Sequence, residues 1–132
     1  MNPNNLRYSK NHEWVGLINK KNNKAYVGIT HFAQKELGDI VYLDIEDSII
    51  GKKINKEETF GTIEAVKTVS DLFMPVSGYI IDINKEIISH PDLINTSYYD
   101  DGWIIQIEIL NIDEYNNLMK LEEYKNYIQE YN

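Results

Sequence analysis

Apolar and polar positions alternate with different periods in different parts of the chain. Residues 15–18 and 25–29 are short apolar runs, separated by the polar, turn-prone stretch Asn19-Lys20-Lys21-Asn22-Asn23-Lys24, a pattern that predicts a β-hairpin. Thr30 then precedes His31-Phe32-Ala33-Gln34-Lys35-Glu36-Leu37, and Gly38 follows. Threonine suits an N-cap and glycine the left-handed position past a C-terminus, so one helix of about two turns is expected here. From Asp39 the period is two: Val41, Leu43 and Ile45 alternate with Tyr42, Asp44 and Glu46, as in a half-buried strand. Further strands are expected over 60–66, 69–74, 79–84 and 103–110, with Gly51 and Pro75-Val76-Ser77-Gly78 as breaks. The predicted core comprises Val27, Ile29, Val41, Leu43, Ile63, Ile81, Ile83, Ile105 and Ile107.

The C-terminal part has another period. Residues 113–131 contain no glycine or proline, and Tyr115, Leu118, Met119, Leu121, Tyr124 and Ile128 recur at three- and four-residue spacing. This predicts helix, capped by Asp113 and broken near Leu121, with its apolar stripe docked on the sheet. A weak repeat at an offset of 40 residues, Gly38 and Ile40 against Gly78 and Ile80, suggests two similar β units. The expectation is a mainly β fold, a flattened barrel or sandwich closing most sheet edges, with a short helix in its N-terminal half and helices at its C-terminus.

Composition narrows the chemistry. With 132 residues the chain is long enough for one domain with a substantial core. Its formal charge is −8, from 21 acidic and 13 basic residues, which argues against binding nucleic acid or an anionic membrane surface. No apolar stretch approaches the roughly 18 residues of a membrane span, and the N-terminus has no signal or transit pattern. There is no cysteine, so thiolate zinc sites, thiol nucleophiles and CxxC redox chemistry are excluded, and any redox role needs a borrowed group.

Catalytic constellations are also missing. His12, His31 and His90 have no paired-ligand spacing, the seven glycines form no phosphate cradle, and the serines lie in no GxSxG context. The carboxylates read as a solvated acidic face. What remains is Lys67, between two strand-like stretches with almost no loop. That placement predicts a lysine at the tip of a tight hairpin, where an attached group swings over a rigid scaffold. Glu64 and Asp71 flank the tip as candidate recognition residues. Taken by itself, a lone lysine is most often an ordinary surface residue.

The segment 61–78, GTIEAVKTVSDLFMPVSG, closely resembles the lipoyl-attachment region of the H proteins of the glycine cleavage system. Other segments resemble the family in order: Tyr8-Ser9-Lys10-Asn11-His12-Glu13-Trp14-Val15, then Val27-Gly28-Ile29-Thr30-His31-Phe32-Ala33-Gln34, then Leu37-Gly38-Asp39-Ile40-Val41. Pro91-Asp92-Leu93-Ile94-Asn95, Asp101-Gly102-Trp103-Ile104 and the acidic helical tail follow. The resemblance spans residues 7 to 128. Three positions depart from the family: Ala65 replaces a common serine, Gln106 a common lysine, and Phe32 stands where members vary.

The resemblance implies a barrel-sandwich hybrid and a non-catalytic carrier: one lipoyl-carrier domain over 1–132, with residues 113–131 a helical extension. Lipoic acid in amide linkage on Lys67 would supply the sulfurs the chain lacks. The implied partners are a pyridoxal-phosphate-dependent glycine decarboxylase, which loads an aminomethyl group, a tetrahydrofolate-dependent aminomethyltransferase, which removes it, and dihydrolipoyl dehydrogenase. A lipoate-attaching enzyme completes the set. Glu13 and His31 match positions near a cleft that shelters the loaded arm. The implied compartment is the cytoplasm in a bacterium and the mitochondrial matrix in a eukaryote. Two alternatives stand beside this. One is an H-like relay passing lipoyl groups to other 2-oxo acid dehydrogenase complexes; the other is an unmodified β-sandwich interaction module. A biotinyl carrier fits less well, because Val66-Lys67-Thr68 lacks the Met-Lys-Met context. So does an isolated lipoyl domain, which lacks the His12-Glu13-Trp14 segment and the helical tail.

Overall fold

A computed structural model describes residues 1–19 and 21–131, without the side chains of Asn19, Glu130 and Tyr131. Lys20 of the expected turn and Asn132 lie outside the described residues. Strand β1 (Arg7–Tyr8) leads into the hairpin of β2 (Glu13–Asn19) and β3 (Lys24–Ile29). Helix α1 (His31–Leu37) follows, as its flanking residues predict. The Thr30 side chain accepts from Ala33 N–H, and Gly38, at φ +79°, donates its N–H to Gln34 O.

Strands β4 (Ile40–Asp44), β5 (Lys53–Ile54), β6 (Thr59–Ala65), β7 (Val69–Phe73) and β8 (Gly78–Ile83) come next. Helices α2 (Lys85–Ser89) and α3 (Leu93–Thr96) precede β9 (Ile105–Ile109), and the chain closes with α4 (Ile112–Asn116) and α5 (Leu121–Tyr131). The strands form two sheets, one ordered β1-β2-β3-β9-β8-β5 and one ordered β4-β6-β7, every pairing antiparallel. This mainly β, two-sheet arrangement is a barrel-sandwich hybrid.

The main core lies between the sheets and contains seven of the nine predicted residues. The other two fail for one reason. Val41 is 47% exposed and Ile81 is half-buried, and each sits at a shift of register, between Ile40 and Tyr42 and between Ile80 and Asp82. A bulge puts one extra residue into a strand and breaks the strict alternation. Ile40 and Ile80 take the buried places instead.

A second, aromatic cluster of Leu6, Tyr8, Trp14 and Tyr124 packs outside the larger sheet. Trp14 is fully buried, donates to Tyr98 O at 2.9 Å, and lies so close over Gly28 that a Cβ there would stand 2.6 Å from its ring. The tail docks on this cluster, Tyr124 stacking on Tyr8 at 4.7 Å. Its cap is Asn111, which accepts from Asp113 N–H at 3.0 Å, rather than the expected Asp113. The expected break is present: residue 119 leaves the helical path to exchange backbone bonds with Tyr8, at 2.8 and 2.9 Å. The last strand begins at Ile105 rather than 103, because Trp103 still belongs to the preceding turn, its N–H directed back to Asp100 O; its ring packs on Tyr26 at 4.6 Å.

Candidate functional site

The β6–β7 hairpin presents Lys67. Glu64 pairs with Val69, and beyond them the chain reverses through Ala65-Val66-Lys67-Thr68. Backbone bonds hold the reversal: Ala65 N–H donates to Thr68 O at 2.8 Å, and Val66 N–H to Asp39 O at 3.1 Å. Lys67 is exposed. Among the described residues its amine has neither a hydrogen bond nor an ion pair. Glu64 and Asp71 are exposed on β6 and β7, and the register places both on the outward face of the smaller sheet, Glu64 opposite Tyr42 and Asp71 opposite Thr62.

Two clefts are lined by residues of β7 or of the segment that follows it. One, of about 360 Å³, lies between α1 and β7 and is lined by Asn11, His12, Phe32, Ala33, Glu36, Leu37 and Ser70. The other, of about 280 Å³, is lined by Ser9, Glu13, Lys56, Glu57, Met74 and neighbours. Glu13 is 3% exposed, because it lies on the same side of β2 as the core residue Val15. Ser9 Oγ donates to its carboxyl at 2.6 Å and accepts its N–H at 3.0 Å. Burial pushes this carboxyl up to about 7, and repulsion from Glu57 adds to the rise; the bonds from Ser9 and from the backbone of Phe73 oppose it.

The two residues expected near an arm cleft are thus placed differently. Glu13 lines one cleft. His31 lines neither: it is exposed, with its ring 4.9 Å from Tyr98 and its Nδ1 3.0 Å from Gln34 Nε2. The residues of α1 that do line a cleft begin one position later, at Phe32. His12 is a hydrogen-bonded structural histidine, as the sequence favours, but its partners are not legible there. Its backbone is left-handed at φ +68°, its Nδ1 lies 2.9 Å from Tyr124 Oη, and Tyr124 Oη in turn lies 2.7 Å from Thr30 Oγ1. Burial lowers the His12 pKa, with Glu36 opposing. Only the tertiary fold joins residues 12, 30 and 124.

A β sandwich closed into a partial barrel, with a solvated lysine at one hairpin tip, defines the class of architecture to which the comparisons then give a family. The family model for the glycine cleavage H-protein matches residues 6–131. A glycine cleavage system H protein from Brevibacillus brevis is 44% identical over 128 residues, covering 97% of this chain and 98% of the relative. One from Bacillus cereus is 43% identical over 122 residues, covering 92% of each. The crystal structure of a glycine cleavage system H protein from Mycobacterium marinum superposes with a TM-score of 0.83 at 30% identity, covering 95% of this chain and 97% of that one. The chain belongs to the glycine cleavage H-protein family.

Proposed function

We propose that this protein is the lipoyl-bearing carrier of a glycine cleavage system, with the group attached to Lys67. The reading takes the whole chain as one carrier domain, with the tail 113–131 its extension, and takes the protein as non-catalytic. The observation that carries it is the Lys67 amine: exposed at a backbone-held hairpin tip and, among the described residues, bonded to nothing, in a chain of this family. An amine so placed fits an acyl group in amide linkage, since acylation displaces no partner and buries no charge. When bound, the lipoyl group supplies the redox sulfurs that a cysteine-free chain cannot.

The chain's own part is presentation and shelter. The hairpin holds the attachment point clear of the body, while Glu64 and Asp71 flank it as recognition residues. Glu13 is the residue read as facing an arm cleft; a carboxyl poised near neutrality takes its charged form when a cationic group approaches. His31 stands over Tyr98 and carries no part in this reading. The partners proposed are glycine decarboxylase, the aminomethyltransferase, dihydrolipoyl dehydrogenase and a lipoate-attaching enzyme. The bacterial relatives favour the cytoplasm of the two compartments. Among the described residues, no helix is long and apolar enough to cross a membrane.

Intact-mass measurement after incubation with lipoate, ATP and a lipoate–protein ligase tests the attachment. Wild type gains one lipoyl group and Lys67→Arg gains none; equal gain by both overturns the assignment. Glycine–bicarbonate exchange with the purified partner enzymes tests the system: the lipoylated protein supports it, and a relay serving only other complexes does not.

A further inference from the structure

The twelve lysines of this chain share one chemistry, so an enzyme that acylates a single one must read what surrounds it. What surrounds Lys67 is unusual. The three most exposed large apolar side chains among the described residues are Val66 at 69%, Val69 at 60% and Tyr42 at 54%, and all belong to the hairpin tip or the strand beside it. The strand register aligns them. Tyr42 lies opposite Glu64 and Glu64 opposite Val69, giving one row across the outward face of the smaller sheet; Asp44, Thr62 and Asp71 form the next row. Strands are spaced about 4.8 Å apart, so a row of three spans roughly 10 Å. Val66 lies in the turn itself, its N–H fixed to Asp39 O. None of the three packs against either hydrophobic cluster, so core packing gives no reason for their being apolar.

We propose that this face, with Tyr42, Val66 and Val69 as apolar contacts and Asp44, Glu64 and Asp71 as an acidic rim, is the docking surface of the enzyme that acylates Lys67. The inference rests on the carrier reading and adds the partner's chemistry: an apolar patch bordered by lysine or arginine. Charge complementarity selects that rim, because Asp44, Glu64 and Asp71 are exposed carboxylates on the two rows that run beside Lys67. Proximity selects the acylating enzyme. The Lys67 nitrogen attacks the carbonyl carbon of a carboxylic acid activated as a mixed anhydride with a nucleotide phosphate. The carbon–nitrogen bond forms, the bond to the phosphate oxygen breaks, the nucleotide leaves, and the nitrogen's proton passes to solvent. For bare Lys67 to reach that carbon, the enzyme's surface must lie against the residues next to the tip. A partner that meets the far end of a long attached arm need not come so close.

The test is steady-state lipoylation of the full chain by a purified lipoate–protein ligase with lipoate and ATP, read by mass spectrometry. The variant Tyr42→Thr/Val66→Thr/Val69→Thr keeps strand-favouring residues at all three positions, and Val66→Thr alone serves as a milder probe. The controls Tyr79→Thr and Ile88→Thr remove exposed apolar groups from β8 and α2. The expected result is a KM for the carrier raised roughly tenfold in the triple variant and measurably in Val66→Thr, with kcat within about threefold and the controls unchanged. Asp44→Asn/Asp71→Asn weakens the salt dependence of kcat/KM. A triple variant that melts like wild type and keeps its KM within twofold overturns the docking surface while leaving Lys67 as the attachment residue. A wild type that takes no lipoate removes both.

Discussion

Two turns of this molecule share a backbone-closed reversal and differ in what their side chains do. The turn before β2 is closed by backbone bonds, Ser9 N–H to Glu13 O at 2.9 Å and His12 N–H to Ser9 O at 3.1 Å, and is tied down by its side chains as well: His12 adopts φ +68°, its Nδ1 lies 2.9 Å from Tyr124 Oη and its ring packs on Phe32 at 4.7 Å, while Ser9 Oγ closes on Glu13. The turn between β6 and β7 is fixed by its backbone, through Ala65 to Thr68 and Val66 to Asp39. The first uses its side chains to join distant parts of the chain. The second leaves Val66, Lys67 and Thr68 facing solvent. Substitutions in the first region therefore act on stability, and substitutions at the tip act on what the protein meets.

The largest effect comes from the aromatic cluster beneath the first turn. Trp14→Ala removes a fully buried ring and its bond to Tyr98 O, and a loss of about 3–5 kcal/mol in urea unfolding is expected. Glu13 supplies a pH dependence of similar size. Its carboxyl holds a proton up to about 7 in the folded chain, against the ordinary 4.5. Between those values the folded state binds more protons than the unfolded one, so stability falls as pH rises from about 4.5 to 7 and is flat above. The difference between wild type and Glu13→Gln isolates this contribution from His12, whose lowered pKa acts in the opposite direction, and it amounts to ~3 kcal/mol across that window. Unfolding free energies of both proteins at a series of pH values check it; parallel curves contradict it. Tyr124→Phe keeps the stack on Tyr8 but deletes the bonds to His12 and Thr30, at a cost of about 1–2 kcal/mol. The smallest effect is at the tip: Lys67→Arg leaves unfolding within about 0.5 kcal/mol of wild type. A stability loss at the tip as large as that of Tyr124→Phe ends the contrast.

Much of this was legible in the sequence, where local chemistry decides local structure. Thr30 and Gly38 bound α1 because a cap and a left-handed residue are one-residue signals. The strands appear wherever period two survives for five or more residues. The strands of two residues, Arg7–Tyr8 and Lys53–Ile54, have no period to read and form because a longer neighbour offers a free edge. Helices α2 and α3 are too short for a repeat. Val41 and Ile81 mislead because a bulge is set by pairing with another strand. At the site, the exposed hairpin lysine follows from two strands almost touching in sequence. The joining of His12 to Thr30 and Tyr124 does not, because those residues meet only after the tail has docked across the larger sheet.

The bond from Val66 N–H to Asp39 O has a mechanical consequence. It pins the residue before Lys67 to the start of β4, so the tip is anchored from two sides, by its own hairpin and by a neighbouring strand. The pivot is then stationary, and the radius swept by anything attached is set by the lysine side chain and its cargo, with no contribution from a bending loop. Reach becomes a fixed length of the molecule.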